Sequence, residues 1–417
     1  MENINVCQRW LTDLANASKS PSINTFRRKI FDLDLANKSA KVILIAGTNG
    51  KGTTLMLLER ILQQAGYRTG SFISPHLCAS NERIRIDGAT VSADLFCQSF
   101  AAIQLVFAKE EAHWFSFLLL VALHLFKQFP LDFLLIETGI GGKNCVTNAL
   151  EPDVSVITTV DLDHMDLLGD TRELIGAQKA GIFRCRKPAI CGDPSPPESV
   201  LTHARQVGAI FYLQERDFGY EKQQDSWSWR GLHKQFAKLP IPLLPLQNAA
   251  TALATIFALL DTTAVNIEVI RQALATVFIP GRYQIIAQKP TVICDVAHNP
   301  QAASYLDTRL QQEHFTGKTF VVAACKYGRL IIPILQAITL PVTAWFIAEL
   351  PQGDGFVSVA KAYLQRQQAE VHVAPNVLDA FKKARSIATE NDRIVIFGSF
   401  KTVEQIFLLF PKALQGI

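Results

Sequence analysis

Closely spaced cysteines are missing from this chain: its eight cysteines are scattered, with no CxxC pair and no Cys/His spacing suited to zinc. Structural zinc modules are therefore excluded, and we expect most of the cysteines to be reduced core residues. A large charge of one sign is also missing, because the formal net charge is only +4 and the basic residues form no stripe. This excludes a nucleic-acid partner and favours a compact anionic substrate.

Long apolar runs and an apolar leader are absent as well. The longest run, 115–126, is too short to cross a bilayer and contains Ser116 and His124, so it predicts a buried helix. The polar start Met1-Glu-Asn-Ile-Asn5 does not resemble a signal peptide. We therefore expect a cytoplasmic protein without a membrane partner. With 49% hydrophobic and 19% charged residues among 417, the chain predicts two or three folded domains.

What the chain does contain is a glycine-rich turn between an apolar strand and a helical pattern. The segment reads Ile43-Leu-Ile-Ala-Gly-Thr-Asn-Gly-Lys-Gly-Thr53, and helical periodicity follows over 54–65. Such a turn presents backbone N–H groups at a helix N-terminus, and Lys51 adds a cation for terminal phosphates. A turn without a ligand would need the glycines but has no use for Lys51. The pattern therefore predicts a nucleotide-phosphate site.

Short β-branched runs alternate with helical patterns from Lys41 onward, which predicts an α/β fold with a parallel sheet between helices. The expected strands are 42–46, 69–73, 133–137 and 154–160, and the expected helices include 93–109 and 115–126. Ser74, Glu137 and His164 lie at or just beyond the ends of three strands, so we expect them at one sheet edge beside the turn. Taken singly, Glu137 is equally a salt-bridge partner and His164 a structural group. Together, a hydroxyl, a carboxylate and an imidazole predict a magnesium-nucleotide site.

Two breaks interrupt the second half, at 239–248 and at 279–282. We place the domain boundary at the second break, which gives an ATP-binding domain, 1–281, and a smaller Rossmann-like open sheet, 282–417. The expected strands of that sheet are 291–295, 319–324, 344–347 and 393–397. Asn248 and Arg282 lie at the two breaks. At a hinge, Arg282 could reach a γ-phosphate or form a linker salt bridge.

The segment Cys294-Asp-Val-Ala-His-Asn-Pro300 groups polar side chains at the end of a strand. Asp295 could bind a ribose hydroxyl or orient a cation, and His298 could contact a substrate carboxylate or phosphate. A helix N-cap explains Asn299 but not His298. Lys179, before a glycine in an apolar stretch, reads by itself as a solvated helix lysine.

Taken together, these motifs resemble the folylpolyglutamate synthase family, and most of all its bacterial bifunctional dihydrofolate synthase/folylpolyglutamate synthases, relatives of the Mur ligases. The resemblance spans nearly the whole chain. The motifs that carry it are Ala46-Gly-Thr-Asn-Gly-Lys-Gly-Thr53, Ser74-Pro-His-Leu77, Asn81-Glu-Arg-Ile84, Glu137-Thr-Gly-Ile-Gly-Gly142, Leu162-Asp-His164, Lys179-Ala-Gly-Ile182, Asn248-Ala-Ala-Thr251, Pro280-Gly-Arg282, Asp295-Val-Ala-His-Asn-Pro300 and Gly398-Ser-Phe400.

The resemblance implies a Mur ligase-like, P-loop-type ATPase domain followed by a glutamate-ligase domain. It implies that ATP contacts Thr48, Asn49, Gly50, Lys51, Gly52, Thr53, Asn248, Arg282 and Asp295. It implies magnesium, as two ions, at Ser74, Glu137, His164 and a carbamylated Lys179, with His298 and Ser399 near the incoming glutamate. Lys51, Lys179 and His298 would be the catalytic residues. The implied chemistry is amide formation through an acyl phosphate.

Several positions depart from the family pattern and border the implied pteroate pocket, which comprises His113, Trp114, Phe115, Ser116, Asn144 and Cys145. Lys143 and Cys145 stand where an Arg and an Asp are usual, and His113-Trp-Phe-Ser116 replaces a Thr-x-Phe-Glu run. The usual N-terminal Gly-Leu-x-Arg element is not recognisable between Ser22 and Leu35. The nucleotide motifs are kept while the acceptor pocket is altered.

Three further departures concern the catalytic region. Gln178 replaces a glutamate, Tyr327-Gly-Arg329 replaces Asp-Lys-Asp, and Lys401 replaces a histidine.

Three hypotheses follow. The first is a monomeric ligase that adds L-glutamate to dihydropteroate or a folate, the second is a glutamate ligase for another aromatic or pterin-like acid, and the third is a nucleotide-binding protein without ligase activity. The presence of six expected residues in the right order favours a ligase: Lys51, Glu137, His164, Lys179, Arg282 and His298.

Overall fold

The computed structural model describes residues 2–15, 21–37, 39–106, 113–260, 264–326, 330–351 and 355–411. The chain divides into two compact units, Met1–Val277 and Phe278–Ile417. Among the helices in the described ranges, none combines the length and the apolar content needed to cross a bilayer.

The first unit is built on an eight-stranded sheet of order β4-β3-β2-β5-β1-β6-β7-β8, with a separate three-stranded sheet, β11-β10-β9. Its strands are β1 (Lys41–Ala46), β2 (Thr69–Phe72), β3 (Ile84–Ile86), β4 (Ala89–Thr90), β5 (Phe133–Glu137), β6 (Val154–Ile157), β7 (Pro188–Cys191), β8 (Ile210–Leu213), β9 (Phe218–Lys222), β10 (Trp227–Gly231) and β11 (Lys234–Leu239). Its helices are α1 (Glu2–Ala15), α2 (Ile23–Asp32), α3 (Lys51–Gln64), α4 (Ala93–Val106), α5 (Trp114–Phe126), α6 (Met165–Leu168), α7 (Arg172–Ala180), α8 (Glu198–Val207), α9 (Leu246–Leu259) and α10 (Ile267–Thr276). Short 3₁₀ turns cover Ser80–Arg83 and Val146–Ala149.

The centre of the large sheet is parallel and buried on both faces. Five of the six residues of β1 are buried, which explains its continuous apolar sequence. In the register, Ile45 lies opposite Glu137 of β5, and Ala46 lies opposite Ile157 of β6. The carboxyl ends of β5, β1 and β6 therefore meet at one edge, as the alternating pattern predicted.

Two groups of strands in the first unit were not predicted from the sequence. At the sheet edge, β3 and β4 are antiparallel additions. The small antiparallel sheet β9–β11 packs against α9: Trp227 and Trp229 are fully buried, and the Trp229 indole N–H donates to the carbonyl of Ala250 at 3.1 Å. Because α9 lies inside the first unit, the break at 239–248 falls within that unit and does not separate domains.

The second unit has a six-stranded sheet of order β12-β13-β17-β14-β15-β16, in which β12 is antiparallel to β13 and the other pairs are parallel. Its elements are β12 (Gln284–Gln288), β13 (Thr291–Cys294), α11 (Pro300–Gln312), β14 (Thr319–Ala323), α12 (Ile331–Gln336), β15 (Ala344–Ala348), α13 (Phe356–Arg366), β16 (Val371–Ala374), α14 (Val377–Ile387), β17 (Arg393–Phe397) and α15 (Phe400–Phe407). This is the smaller open α/β sheet that the sequence predicted, and the fold class is confirmed.

Candidate active site

The first glycine turn connects β1 to α3 in a shape that only glycine adopts at two positions. Gly47 has φ of 155°, and a Cβ there would lie 1.9 Å from the Thr158 hydroxyl oxygen. Gly50 has φ of 82°, and a Cβ there would lie 2.5 Å from Oδ1 of Asn248. The turn is thus pressed against the end of β6 and against α9, which brings Asn248 beside the predicted phosphate site.

Hydrogen bonds from the segment after β6 hold this turn. The Thr48 N–H donates to the Thr159 carbonyl at 2.8 Å, and the Asn49 N–H donates to the Thr159 hydroxyl at 3.1 Å. The Thr48 hydroxyl lies 3.0 Å from both the carbonyl and the amide nitrogen of Asp161. The turn is consequently preformed, which lowers the entropic cost of binding a ligand.

The Lys51 ammonium group lies over the turn, where it donates to the carbonyls of Gly47 and Thr48 at 3.0 and 3.1 Å. Thr53, in the first turn of α3, is buried. A Cβ on Gly52 would lie 3.5 Å from Oε2 of Glu137. The cation, the helix start and a carboxylate therefore occupy one small region, which suits a phosphate group with a divalent cation.

The predicted metal ligands lie at this sheet edge. Glu137 is 2% exposed, and one of its oxygens accepts from the Ser74 N–H at 2.9 Å. His164 is the N-cap residue of α6, with φ of 48°. Burial lowers the pKa of its imidazole, with Asp163 opposing and Lys51 and Lys179 adding to the decrease. A neutral imidazole and a carboxylate fit a divalent cation that completes its shell with nucleotide oxygens and water. In the described ranges, no three His, Cys, Asp or Glu side chains converge as a metal cage.

Lys179 is not the solvated lysine that its local sequence suggests. Its side chain is at the end of α7 and is 3% exposed, and burial together with the charge of Lys51 lowers its pKa to about 7, against the opposing effect of Asp163. The second glycine loop, residues 139–145, follows β5. A Cβ on Gly142 would lie 2.8 Å from the Lys179 carbonyl oxygen, so this loop packs directly on the helix end. Lys179 carries a weakly basic amine.

The predicted acceptor residues come from two segments that the structure brings together. His113 precedes α5 as its N-cap, and the buried Ser116 hydroxyl donates to the His113 carbonyl at 2.8 Å. Phe115 packs on the second glycine loop, since a Cβ on Gly139 would lie 2.9 Å from its ring. In that loop, the Asn144 amide lies 3.5 Å from Oε1 of Gln178, and Cys145 is buried.

In the second unit, the predicted residues gather around Phe400. The Arg282 guanidinium carbon lies 4.9 Å from the centre of the Phe400 ring, and the His298 ring lies 5.9 Å from it. Burial raises the pKa of Asp295, with Arg282 opposing, and its oxygens accept from the N–H groups of Tyr283 and Ala297 at 2.8 Å each.

Two of these second-unit side chains also cap helices. Asn299 is the N-cap of α11, as predicted, and Ser399 is the N-cap of α15, where its hydroxyl accepts from the Thr402 N–H at 3.1 Å. Lys401 forms an exposed ion pair with Glu404 at 2.6 Å. Tyr327-Gly-Arg329, one of the departures from the family pattern, lies outside the described residues.

Sequence reasoning gave no role to Arg83, although it lies in the quoted motif Asn81-Glu-Arg-Ile84. Arg83 is 3% exposed and ends the 3₁₀ turn beside β2. Its position in a motif shortly after Ser74-Pro-His76 could have indicated a functional role, but its burial is visible only in the folded protein.

Comparison with known proteins decides the family. Residues 281–400 match the family "Mur ligase, glutamate ligase domain". The Escherichia coli protein named dihydrofolate synthase/folylpolyglutamate synthase is 36% identical over 410 residues, covering 98% of this chain and 96% of that protein. The chain belongs to the dihydrofolate synthase/folylpolyglutamate synthase family. The resemblance drawn from the motifs is thereby confirmed.

Solved structures of this family share the fold over nearly the whole chain. A bifunctional folylpolyglutamate synthase/dihydrofolate synthase with Mn, AMPPNP and L-glutamate bound has a TM-score of 0.88 at 36% identity, covering 97% of this chain and 98% of that one. The E. coli enzyme in complex with DHPP and ADP has a TM-score of 0.88 at 35% identity, covering 97% of both chains.

Proposed function

We propose that this chain is an ATP-dependent ligase that joins the carboxylate of 7,8-dihydropteroate, or of a reduced folate, to the amino group of L-glutamate. It would serve folate biosynthesis as dihydrofolate synthase and folylpolyglutamate synthase. The observation that carries the proposal is the Lys51 ammonium group in a preformed glycine turn beside the buried Glu137 carboxylate. Relatives named for this activity, over nearly the full chain, support the same substrates.

The first unit would hold the nucleotide. The turn from Thr48 to Thr53 would bind the ATP phosphates through backbone N–H groups and Lys51, and Asn248 would contact the nucleotide from α9. Arg282 and Asp295, in the second unit, are proposed to complete the nucleotide contacts.

Ser74, Glu137 and His164 would hold Mg²⁺, and a carbamate on Lys179 would hold a second ion. When bound, divalent cations neutralise phosphate charge and polarise the γ-phosphoryl group. A relative binds Mn with AMPPNP, which supports a divalent cation here. The Lys179 amine, with its pKa lowered to about 7, is suited to react with carbon dioxide because a large part of it is neutral at physiological pH.

The reaction would proceed in two transfers. A carboxylate oxygen of the acceptor attacks the γ-phosphorus, the bond to ADP breaks, and an acyl phosphate forms. The amino nitrogen of glutamate then attacks the acyl carbon, loses its proton, and inorganic phosphate leaves. Lys51 would stabilise the charge that develops on the phosphoryl group. His298 and Ser399 are proposed to position the glutamate.

The proposal is tested by incubating the purified chain with ATP, Mg²⁺, L-glutamate and either dihydropteroate or tetrahydrofolate. We expect ADP release that depends on the acceptor, together with a product heavier by one glutamyl residue in mass spectrometry. The substrate assignment would be contradicted if ADP were released at the same rate without an acceptor. It would also be contradicted if no pterin acid stimulated ADP release.

A second acceptor class is favoured by one observation. Cys145 is buried in the second glycine loop, and Lys143 donates its backbone N–H to the Gln178 carbonyl, where the family usually has Asp and Arg side chains. A changed loop at the predicted pteroate pocket would suit another aromatic or pterin-like acid. A screen of mixed acceptors distinguishes the two, and ATP binding without turnover for any acceptor would instead indicate a protein without ligase activity.

We also propose that the enzyme is a cytoplasmic monomer. All eight cysteines are free thiols, which agrees with a reducing compartment. Light scattering on the purified chain tests the monomer, for which the expected mass is 46.2 kDa.

A further inference from the structure

Arg83 is buried at the edge of the sheet where the predicted metal and acceptor residues meet. Its carbonyl accepts from the Ile73 N–H at 2.9 Å, which fixes Arg83 beside the segment that carries Ser74. Its Nε donates to Nδ1 of His76 at 2.7 Å. The first contact fixes the backbone and the second orients the guanidinium group, but neither neutralises its charge.

The carboxylate next to Arg83 in the sequence accepts hydrogen bonds from backbone donors. Glu82, the residue before it, accepts from the N–H groups of Leu77, Cys78 and Ala79 at 2.6 to 2.9 Å. Glu137 is close enough for its charge to favour protonated Arg83, whose pKa burial lowers to about 10. Arg83 therefore remains a cation at neutral pH, held inside the protein.

One donor of this cation has no acceptor. Nη1 of Arg83 is buried, and the described residues offer it no hydrogen-bond partner. Buried polar groups in folded proteins almost always have partners, so an unmatched donor of a charged group calls for an explanation. A bound anion would explain the unmatched donor, because a guanidinium group can donate two parallel hydrogen bonds to a carboxylate.

The surroundings indicate which anion. The guanidinium carbon lies 4.9 Å from the centre of the Trp114 ring, and the His113 ring, whose buried Nδ1 also lacks a partner among the described residues, lies 5.9 Å from Trp114. Aromatic rings beside two unmatched polar atoms, Nη1 of Arg83 and Nδ1 of His113, suit an aromatic acid better than an inorganic phosphate.

The strand order separates this place from the phosphate turn. In the order β2-β5-β1, Arg83 lies beside the end of β2, Glu137 ends β5, and the Lys51 turn follows β1. Glu137 therefore lies between Arg83 and the Lys51 turn along this sheet edge.

We propose that Arg83 binds the carboxylate of the acceptor acid and orients it for attack on the γ-phosphate, with Trp114 against the aromatic part of the acceptor. This assignment rests on the proposed ligase function and adds a specificity-determining residue to it. Arg83 would select an acid over a neutral analogue of the same shape, because only an anion satisfies the buried cation.

The test compares dihydropteroate with its carboxamide, which has nearly the same shape but no charge. Binding of each to the chain is measured by calorimetry without glutamate, for the unchanged protein, Arg83→Gln and Arg83→Lys. We expect the unchanged protein to prefer the acid by about tenfold to a hundredfold, and Arg83→Gln to lose that preference. Arg83→Lys should retain part of it, since the charge remains but the fork is lost.

Arg85→Lys is the matched control, because Arg85 lies two residues further along and pairs with Glu59 at 2.9 Å instead. It should keep the full preference. In turnover assays, Arg83→Gln should raise the acceptor KM or lower kcat while the KM values for ATP and glutamate stay within about twofold.

An Arg83→Gln protein that still prefers the acid would overturn the role of Arg83. If the unchanged protein binds and glutamylates no pterin acid, the proposed substrates fail instead. Equal thermal unfolding midpoints for the unchanged protein and the two Arg83 variants would exclude a folding defect as the cause of a lost preference.

Discussion

At the scale of single residues, two lysines near the first glycine turn differ because their surroundings differ. Lys51 follows the glycine turn and donates to two of its backbone carbonyls, so its charge is satisfied and remains available to a phosphate. Lys179 is buried at a helix end with Lys51 nearby, so its charge is disfavoured. Proximity to a cation and loss of water both favour the neutral amine.

Replacing Lys51 by alanine should lower kcat of the ligase by at least about a hundredfold, because the charge that faces the phosphates is removed. The measurement is acceptor-dependent ADP release at saturating ATP. Lys41→Ala is the control, since Lys41 is exposed at the opposite end of the same strand. An unchanged kcat for Lys51→Ala would place the nucleotide elsewhere.

Lys179 should form its carbamate above its pKa and lose it below. With a pKa of about 7, the amine is about nine-tenths neutral at pH 8 and about one-tenth neutral at pH 6, and only the neutral form reacts with carbon dioxide. In ¹³C-bicarbonate, we expect a carbamate resonance in NMR at pH 8 that fades towards pH 6. The Lys179→Ala protein should lack it, and a resonance that persists in that variant would assign the adduct to another amine.

At the scale of secondary-structure elements, the junctions between strand ends and helix starts position the site. The turn from β1 to α3 is held by the segment after β6, and the second glycine loop packs on the end of α7. Each junction relies on a glycine that lets another segment approach. The elements therefore act as supports, and the side chains at their ends carry the chemistry.

Gly47→Ala should destabilise the first unit by about 2–4 kcal/mol, because a Cβ would overlap Thr158 and φ would be strained. It should also weaken binding of an ATP analogue. Urea unfolding measures the loss of stability, and calorimetry measures binding of the ATP analogue. Gly66→Ala separates strain from overlap: Gly66 has φ of 88° but nothing within 4 Å of its Cβ position, so the expected cost is about 1 kcal/mol. Equal costs at both positions would show that overlap with Thr158 does not matter.

The strands and helices of the parallel sheets were largely predictable, whereas their antiparallel additions were not. Strands β5 and β17 begin and end where the apolar runs predicted, since a strand buried on both faces has a continuous apolar sequence. In contrast, β9–β11 mix charged and aromatic residues, and their apolar side is defined by the packing of Trp229 on α9, which local sequence does not show. Helix α3 begins at Lys51 instead of 54, because Gly50 in a left-handed conformation is its N-cap.

At the scale of the whole molecule, the chain consists of two units that each have a sheet and a core of their own. The second unit contains the residues that match the glutamate ligase domain of Mur ligases. Residues predicted to take part in the reaction lie in each unit, Lys51 in the first and His298 in the second. Activity should therefore need the complete chain.

A fragment of residues 278–417 should fold alone, because its sheet and the cluster around Phe397 lie within it. We expect a cooperative thermal transition by circular dichroism and no ADP release. A fragment of 295–417 is the matched control: it lacks β12 and β13, which leaves β17 without one of its neighbours, and it should show no cooperative transition. Loss of the transition in the longer fragment would mean that the second unit depends on the first.

Local sequence by itself determined the parallel α/β fold, the glycine turn with Lys51, and the order of motifs that led to the family. These depend on backbone conformation and apolar spacing, which neighbouring residues dictate. Only the tertiary structure decided that Asn248 lies against Gly50, that Lys179 carries a weakly basic amine, and that Arg83 is a buried cation with an unmatched donor. Each of these depends on water exclusion and on charges brought together from distant parts of the chain, and no local pattern encodes such proximity.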